Sequence, residues 1–307
     1  MSCHAAEDAR SAETNNKATP LAGLYTVVPD IETCSEGKVG NEEKQKVLEA
    51  LNRVRALHEL KPVIYTTSGD VQVARAALIM LANKKLDHNP PKSSKCWSEE
   101  GLLGSSKSNL HACSIKTTHE ALCVSEALIA SFLKDVNVES LGHRRWLLNP
   151  FLGEISYGRA DAVIKEGEYT KNDSYAALRV IDGNKGAISD TALEYVAYPY
   201  HDYPGELVNK EWYFSFSALA DREDFWANGR LVNFSLASIT MTAENGAPLE
   251  ISAVSYNNNG FGLPDIVQWK AKDVRMDVKY SVKVRQVRVN GVPRDYEYWF
   301  RLVDAKQ

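Results

Sequence analysis

Two histidines in unusual surroundings are the side chains of this sequence best suited to chemistry. His88 lies in Asp-His-Asn-Pro-Pro at 87–91, and His143 lies in Leu-Gly-His-Arg-Arg-Trp at 141–146. Proline or glycine near each histidine predicts a turn or a helix end, where a side chain can face a cleft. Imidazole nitrogens bind divalent metals such as zinc and transfer protons near neutral pH. The two histidines therefore form a candidate site if folding brings them together.

Two carboxylates between the histidines complete the candidate set. Glu100 lies in a Ser-Glu-Glu-Gly segment, and Asp135 ends a predicted helix. The helix dipole disfavours an anion at that end, which favours a functional role for Asp135. Two imidazoles and two carboxylates suffice for a divalent metal with His88 and His143 as ligands, or for acid–base chemistry. Taken one at a time, each carboxylate has the context of an ordinary surface residue.

Other routes to catalysis have weaker support in the sequence. It contains no Gly-x-Ser-x-Gly elbow, no local cysteine–histidine phrase of a known protease and no phosphate-binding glycine loop. Of Arg144 and Arg145, we expect one to form an ion pair and the other to be solvated. A lone histidine is usually structural, and we interpret five in that way: His4, His58, His111, His119 and His201.

Composition sets the broad class. The chain has 307 residues, of which 44% are hydrophobic and 25% charged, as in a soluble globular protein with one large or two ordinary domains. The net charge of −4 argues against nucleic-acid binding. No apolar run approaches the roughly 20 residues of a membrane helix, and the polar N-terminus shows no signal peptide.

The cysteines allow two interpretations. All five lie in the first 123 residues: Cys3, Cys34, Cys96, Cys113 and Cys123. They are either free thiols of a cytosolic protein or one or two disulfides near 96–123 in an exported one, with Cys96 and Cys113 able to cross-link a long loop. Met-Ser-Cys before a polar tail resembles a bacterial lipoprotein that has lost its signal peptide, so Cys3 is a candidate lipid anchor.

The first part of the chain predicts helices that would position the site. Residues 1–40 read as a polar tail, and residues 41–60 as a helix with an apolar stripe. A second helix starts after Thr67 or Ser68 and ends at Asn89, with His88 at its C-terminal end. Residues 92–116 are expected to be a loop, and a third helix runs from Thr117 or Thr118 to about Asp135. Strands follow residue 150, which indicates an α+β unit.

The C-terminal part predicts only strands. An aromatic and proline-rich connector at 198–205 marks the expected domain boundary. Short β-branched and aromatic segments then alternate with turn residues, which is typical of an immunoglobulin-like β-sandwich at 205–307. Asn290-Gly291 between two such segments predicts a hairpin. We find no catalytic constellation in this part and interpret it as a spacer or adhesion module.

Several phrases together resemble the CAP superfamily. They are Asn-x-x-Arg at 52–55, His-Asn-Pro-Pro at 88–91, Ser-Asn-Leu at 108–110 and Gly-His-Arg-Arg-Trp-Leu-Leu-Asn-Pro at 142–150. That superfamily comprises cysteine-rich secretory proteins, antigen 5 and plant pathogenesis-related 1 proteins. The chain is similar to bacterial members that carry a β-rich C-terminal extension, with the CAP domain at 41–200.

The resemblance implies a three-layer α-β-α sandwich whose cleft holds two histidines and two acidic residues, in some members with a metal. His88 and His143 match the family's histidines, and Asp135 stands where a glutamate is usual. The other glutamate position is Ser108 here, and Glu100 is the candidate to replace it. The resemblance also implies export to the cell envelope or exterior.

Three functional hypotheses follow. In the first, an exported or cell-surface protein uses the cleft, without catalysis, to bind a divalent metal such as zinc, a small apolar ligand or a protein partner. In the alternative, His88, His143 and a carboxylate form a metal-dependent, peptidase-like hydrolase. In the third, the cluster is a relic that only stabilises the loop around Cys96. Fold alone does not choose among them.

Overall fold

The computed structural model describes residues 20–119, 121–183 and 186–304. These residues form a mixed α/β structure, in agreement with the predicted α+β class. The helices are α1 Asn41–Leu57, α2 Asp70–Asn83, α3 Glu99–Ser106, α4 Ala127–Lys134, α5 Gly142–Leu147 and α6 Asn228–Leu231. The strands are β1 Tyr25–Val27, β2 Lys38–Val39, β3 Ile64–Tyr65, β4 Ser108–Thr117, β5 Glu154–Glu166, β6 Tyr169–Arg179, β7 Tyr195–Tyr198, β8 His201–Pro204, β9 Phe214–Ala218, β10 Val232–Asn233, β11 Ser238–Ala243, β12 Ile251–Asn257, β13 Ile266–Ala271, β14 Lys279–Val289 and β15 Val292–Val303.

A four-stranded sheet of order β3-β5-β6-β4 organises the N-terminal half. Helix α2 covers one face, where Val73 and Ala77 pack with Ala160 and Ala177 of the sheet. Helices α1 and α4 contribute buried residues to the larger core on the other face. Gly158 permits the close approach of α2, because a Cβ atom there would lie 2.5 Å from the backbone nitrogen of Ala74. β4 is an edge strand of this sheet.

Two sheets face each other in the C-terminal half. One has the order β12-β13-β9-β7, and the other has the order β10-β14-β15-β8 with β11 also paired to β14. Aromatic rings fill the space between them. The ring centroids of Phe214 and Phe300 lie 5.6 Å apart, and those of Phe216 and Tyr296 lie 5.1 Å apart. The predicted hairpin joins β14 and β15, and its two turn residues, Asn290 and Gly291, both have positive φ angles.

Residues 195–204, which overlap the predicted connector, contribute strands to both C-terminal sheets. β7 pairs with β9 in one sheet, and β8 pairs in parallel with β15 in the other. The N-terminal residues that the structure describes are also packed: Tyr25 is buried and its hydroxyl donates to Asp161. Residues 1–19 of the predicted tail lie outside the described residues.

Three predictions of local structure are wrong. Helix α2 ends at Asn83, where Lys84 takes a left-handed conformation, so His88 lies in the following loop and not at the helix end. Residues 92–116 are not all loop, since they contain α3 and most of β4. The third predicted helix begins only at Ala127. β4 is stabilised by pairing with β6 along its whole length. This interaction joins residues far apart in the sequence, so local periodicity does not reveal it.

The disulfides connect Cys34 to Cys96 and Cys113 to Cys123, with Cα–Cα distances of 5.1 Å and 6.1 Å. The predicted cross-link from Cys96 to Cys113 is therefore wrong, because each of these cysteines has another partner. Cys3 lies outside the described residues. Of the helices in the described ranges, none combines the length and apolarity that a membrane crossing requires.

Candidate functional site

His88 and His143 line the same surface pocket, which has a volume of about 420 Å³. The loop after α2 supplies the first histidine and the first turn of α5 supplies the second. Apolar side chains line much of the remaining surface, accompanied by serine hydroxyls and one amide. The other lining residues are Ser106, Ser108, Asn109, Val138, Ser140, Gly142, Trp146, Ile181, Gly260 and Phe261.

A buried carboxylate orients His143. Nδ1 of His143 lies 2.7 Å from Oδ1 of Asp135, whose side chain is 1% exposed. The other carboxylate oxygen accepts the backbone N–H of Arg144 at 3.2 Å, and the ring of Phe132 stacks on the imidazole at 4.9 Å. Because a carboxylate accepts hydrogen bonds, Nδ1 carries a proton. Nε2 is then the nitrogen with a lone pair in the neutral ring, as in histidines that bind a metal or act as a base.

A backbone carbonyl orients His88 in the same sense. Its Nδ1 lies 3.0 Å from the carbonyl oxygen of Ser105, near the end of α3. A carbonyl only accepts hydrogen bonds, so Nδ1 again carries the proton. In the neutral form of each imidazole, Nε2 is therefore the hydrogen-bond acceptor.

Ser108 is the pocket residue with an unmet hydrogen-bonding need. It is 1% exposed, and its Oγ forms no hydrogen bond with any residue in the described ranges. The adjacent Asn109 donates from Nδ2 to the carbonyl oxygen of His143 at 3.1 Å, which ties the start of β4 to α5. An unpartnered buried hydroxyl is costly, and such groups frequently mark a place where a ligand or water binds.

The two predicted carboxylates lie in different surroundings. Asp135 lies behind His143, with both oxygens engaged. Glu100 lies in the first turn of α3 and pairs with Arg75, with its Oε2 2.8 Å from Nη1. Its side chain is 51% exposed, and it is not among the residues that line the pocket with the histidines.

The donors fit a zinc centre poorly. Within the described ranges, no group of three or more histidine, cysteine, aspartate or glutamate side chains is placed to hold a metal ion. Catalytic zinc usually has three protein ligands. Here the two Nε2 atoms are the available nitrogens, and the carboxylate oxygens of Asp135 already accept other hydrogen bonds. We therefore assign no step to a metal.

A second pocket of about 630 Å³ lies on the α4 side of His143. His111, Phe132 and Asp135 line it together with His143. Burial lowers the pKa of His111 to about 4, and the nearby His143 and Arg159 act in the same direction, so His111 is neutral at physiological pH. The sequence predicts a structural role for His111, because nothing in its context distinguishes it from other alternating residues of β4.

The two arginines after His143 have a different role from the one expected. Both are buried, and their guanidinium groups mainly donate to backbone carbonyls. Arg144 reaches the carbonyl oxygen of Tyr213, and Arg145 reaches that of Leu263, so both bind the C-terminal half. The expected solvated arginine is therefore wrong. The contribution of Gly260 and Phe261 to the pocket was also missed, because no sequence signal links them to α5.

No family model and no curated protein matches this chain. Among solved structures, it is similar to an extracellular protein containing a SCP domain from Bacillus anthracis str. Ames. The two chains are 17% identical, with a TM-score of 0.28. The match covers 46% of this chain and 42% of that chain, so it spans less than half of that protein.

Proposed function

We propose that this chain is a binding protein that holds a small, largely apolar ligand in the pocket between His88 and His143, without catalysis. The observation that carries the proposal is the buried, unpartnered hydroxyl of Ser108 in the pocket that the two imidazoles line. A ligand whose polar head reaches this end of the pocket would satisfy that hydroxyl.

The hydrogen-bonding pattern defines the polar head. Nδ1 of His88 and Nδ1 of His143 each donate to an acceptor, so Nε2 is the acceptor atom of each neutral imidazole. The hydroxyl of Ser108 can donate or accept. A head group that donates a hydrogen bond, such as an alcohol or an amine, therefore fits better than a carboxylate. The oxygens of a carboxylate would face the lone pairs on the two Nε2 atoms.

The rest of the pocket suits an apolar body. Val138, Trp146, Ile181 and Phe261 line it, and its volume of about 420 Å³ falls within the range of small-molecule sites. Burying apolar ligand surface against such side chains supplies most of the binding energy, while the polar end fixes orientation.

Three further proposals concern the location of the protein and its two domains. Two disulfides favour an oxidising compartment, which supports export to the cell surface or exterior. We propose that residues 41–200 form a CAP domain, supported by helices on both faces of the first sheet, and that residues 205–307 form an immunoglobulin-like sandwich. Acylation of Cys3 stays a prediction that intact-mass measurement would test.

Binding of n-alkan-1-ols, measured by displacement of fluorescent aminoanthracene, tests the proposed function. We expect decanol to bind more tightly than decanoate, and we expect S108A, H88A and H143A each to weaken decanol binding about tenfold, the loss of one hydrogen bond. H201A is the matched control, because His201 stacks on Trp299 away from the pocket. Equal affinities in the wild type and all three pocket variants would reject the proposal.

A zinc titration by calorimetry separates the metal hypothesis from the apolar-ligand hypothesis. We expect the wild type to bind zinc weakly and with little dependence on the two histidines, because the described ranges offer no third ligand. Tight zinc binding that both H88A and H143A abolish would instead favour a metal site.

Hydrolysis is a second candidate function, favoured by the hydrogen bond between Asp135 and His143. Nε2 of His143 would take a proton from a water molecule as its oxygen attacks the acyl carbon of an ester, and the same nitrogen would pass the proton to the leaving alcohol. Release of p-nitrophenol from p-nitrophenyl decanoate by the wild type, lost in H143A and retained in H201A, would support this candidate. No release by the wild type would leave the pocket as a binding site only.

A further inference from the structure

We infer that the C-terminal half is part of the binding site, and that Phe261 determines the size of ligand that the pocket accepts. This inference rests on the proposed function and assigns its selectivity to one residue. Phe261 and Gly260 lie between β12 and β13 and line the pocket together with both histidines. The pocket is therefore incomplete without the C-terminal half.

Phe261 packs directly against the element that carries His143. Gly142, the first residue of α5, has no side chain, and a Cβ atom there would lie 3.1 Å from the Phe261 ring. The Arg145 guanidinium lies over the same ring, 4.7 Å from its centroid. The ring is thus held between the start of α5 and a buried cation, close to the imidazole that meets the ligand.

Contacts with α5 hold the loop between β12 and β13 on the side of the N-terminal half. Nε of Arg145 donates to the carbonyl oxygen of Leu263 at 2.7 Å, and its Nη1 donates to Oδ1 of Asn257 at 3.2 Å. At Gly262 a Cβ atom would lie only 2.3 Å from Cα of Trp146, so the two backbones touch. α5 therefore positions His143 and this segment together.

Contacts within the C-terminal half also hold the loop between β12 and β13. Nδ2 of Asn258 donates to the carbonyl oxygens of Gly229 and Val232 at 3.0 Å and 2.7 Å. Gly260 has a positive φ angle and lies against Trp226, so another side chain there would be strained. Because the backbone of this loop is held on both sides, a substitution at Phe261 changes the size of one side chain without moving the loop. The substitution therefore alters the pocket volume.

The test is the chain-length profile of n-alkan-1-ol binding, from hexanol to tetradecanol, by aminoanthracene displacement. F261A is expected to shift the preferred alcohol to a longer one, with affinity gained about fourfold for each additional methylene that the enlarged pocket buries. F261W is expected to shift it to a shorter one. Y256A is the matched control, because Tyr256 is an exposed aromatic residue of β12 that does not line the pocket.

The possible results separate this inference from the proposed function. A shift in opposite directions in F261A and F261W, with Y256A unchanged, supports it. Binding by the wild type with the same length profile in F261A and F261W overturns the inference and leaves the proposed function intact. No alkanol binding by the wild type overturns both. Thermal unfolding of each variant shows whether it is folded, and F261L replaces F261A if the alanine variant does not fold.

Discussion

Nδ1 of His143 lies 2.7 Å from Oδ1 of Asp135, and the carboxylate is buried behind the imidazole. The second carboxylate oxygen accepts the N–H of Arg144, so Asp135 supports two consecutive residues of α5. This pairing explains why an acidic residue follows the end of α4, where the helix dipole disfavours it. Asp135 positions the histidine that faces the pocket.

Replacing Asp135 by asparagine should therefore affect both stability and binding. The amide can accept from one of the two N–H groups but not both, which leaves a buried donor unpaired and lowers the free energy of unfolding by about 1–3 kcal/mol. The freed imidazole should also weaken decanol binding. Urea unfolding and probe displacement measure the two effects. E100Q is the control, because Glu100 forms an exposed ion pair, and a loss no larger than in E100Q would contradict the positioning role.

Asp265 should make the protein less stable at high pH. Burial raises the pKa of its carboxyl to about 8, well above that of an unfolded aspartate. Between about pH 4 and pH 8 the unfolded chain has released this proton while the folded chain retains it, so stability falls as pH rises through that range. D265N removes the titration and should stabilise the protein at pH 8 by roughly 2–4 kcal/mol relative to its effect at pH 4.

Urea unfolding of the wild type and D265N at several pH values checks this expectation. D273N is the matched control, because Asp273 is exposed in the same half of the chain. Parallel stability curves for the wild type and D265N would show that Asp265 does not titrate as its burial implies.

His58 should act at the acidic end of the pH range. Its Nδ1 bonds the carbonyl oxygen of Ala197 and its Nε2 bonds the hydroxyl of Tyr203, each at 2.9 Å, and burial lowers its pKa to about 3. The unfolded chain binds a proton below about pH 6.5 that the folded chain does not accept. The contribution of His58 to stability is therefore complete above about pH 6.5 and is lost as pH falls toward 3.

The comparison of H58Q with H201A, a change at a histidine whose side chain is 40% exposed, isolates this effect. H58Q is less stable at pH 7 because it breaks buried hydrogen bonds, but its stability should fall less steeply than that of H201A between pH 6.5 and pH 4. His111 contributes in the same direction in both proteins. Equal slopes would assign the acid sensitivity to other groups.

The two disulfides should contribute unequally. The link from Cys34 to Cys96 spans 62 residues of sequence and the link from Cys113 to Cys123 spans 10. Loop-closure entropy predicts stabilisation of about 4 kcal/mol by the first and about 3 kcal/mol by the second. Urea unfolding of the double serine variants of each pair measures the difference, and peptide mapping without reduction checks the pairing. A larger loss from the 113–123 pair would contradict the entropic account.

Local patterns were sufficient for much of the fold. The apolar stripe of α1 and the β-branched runs of the C-terminal half predicted elements close to those observed, because side-chain periodicity follows helix and strand geometry. Asn290-Gly291 predicted its hairpin, since few residues accept two successive positive φ angles. β4 was not predicted, because it is stabilised by pairing with β6, a strand distant in the sequence.

For the site, the sequence by itself determined the candidate residues: two histidines beside turn residues, and an aspartate placed where a helix disfavours it. Only the tertiary structure decided that both imidazoles line one pocket and that Phe261 lines it with them. The same is true of the contact from Asp135 to His143 and of the ion pair between Glu100 and Arg75. The physical reason is that side-chain type and local turn preference are properties of short segments. A shared pocket depends on long-range packing of α5 against the C-terminal half, which no short segment encodes.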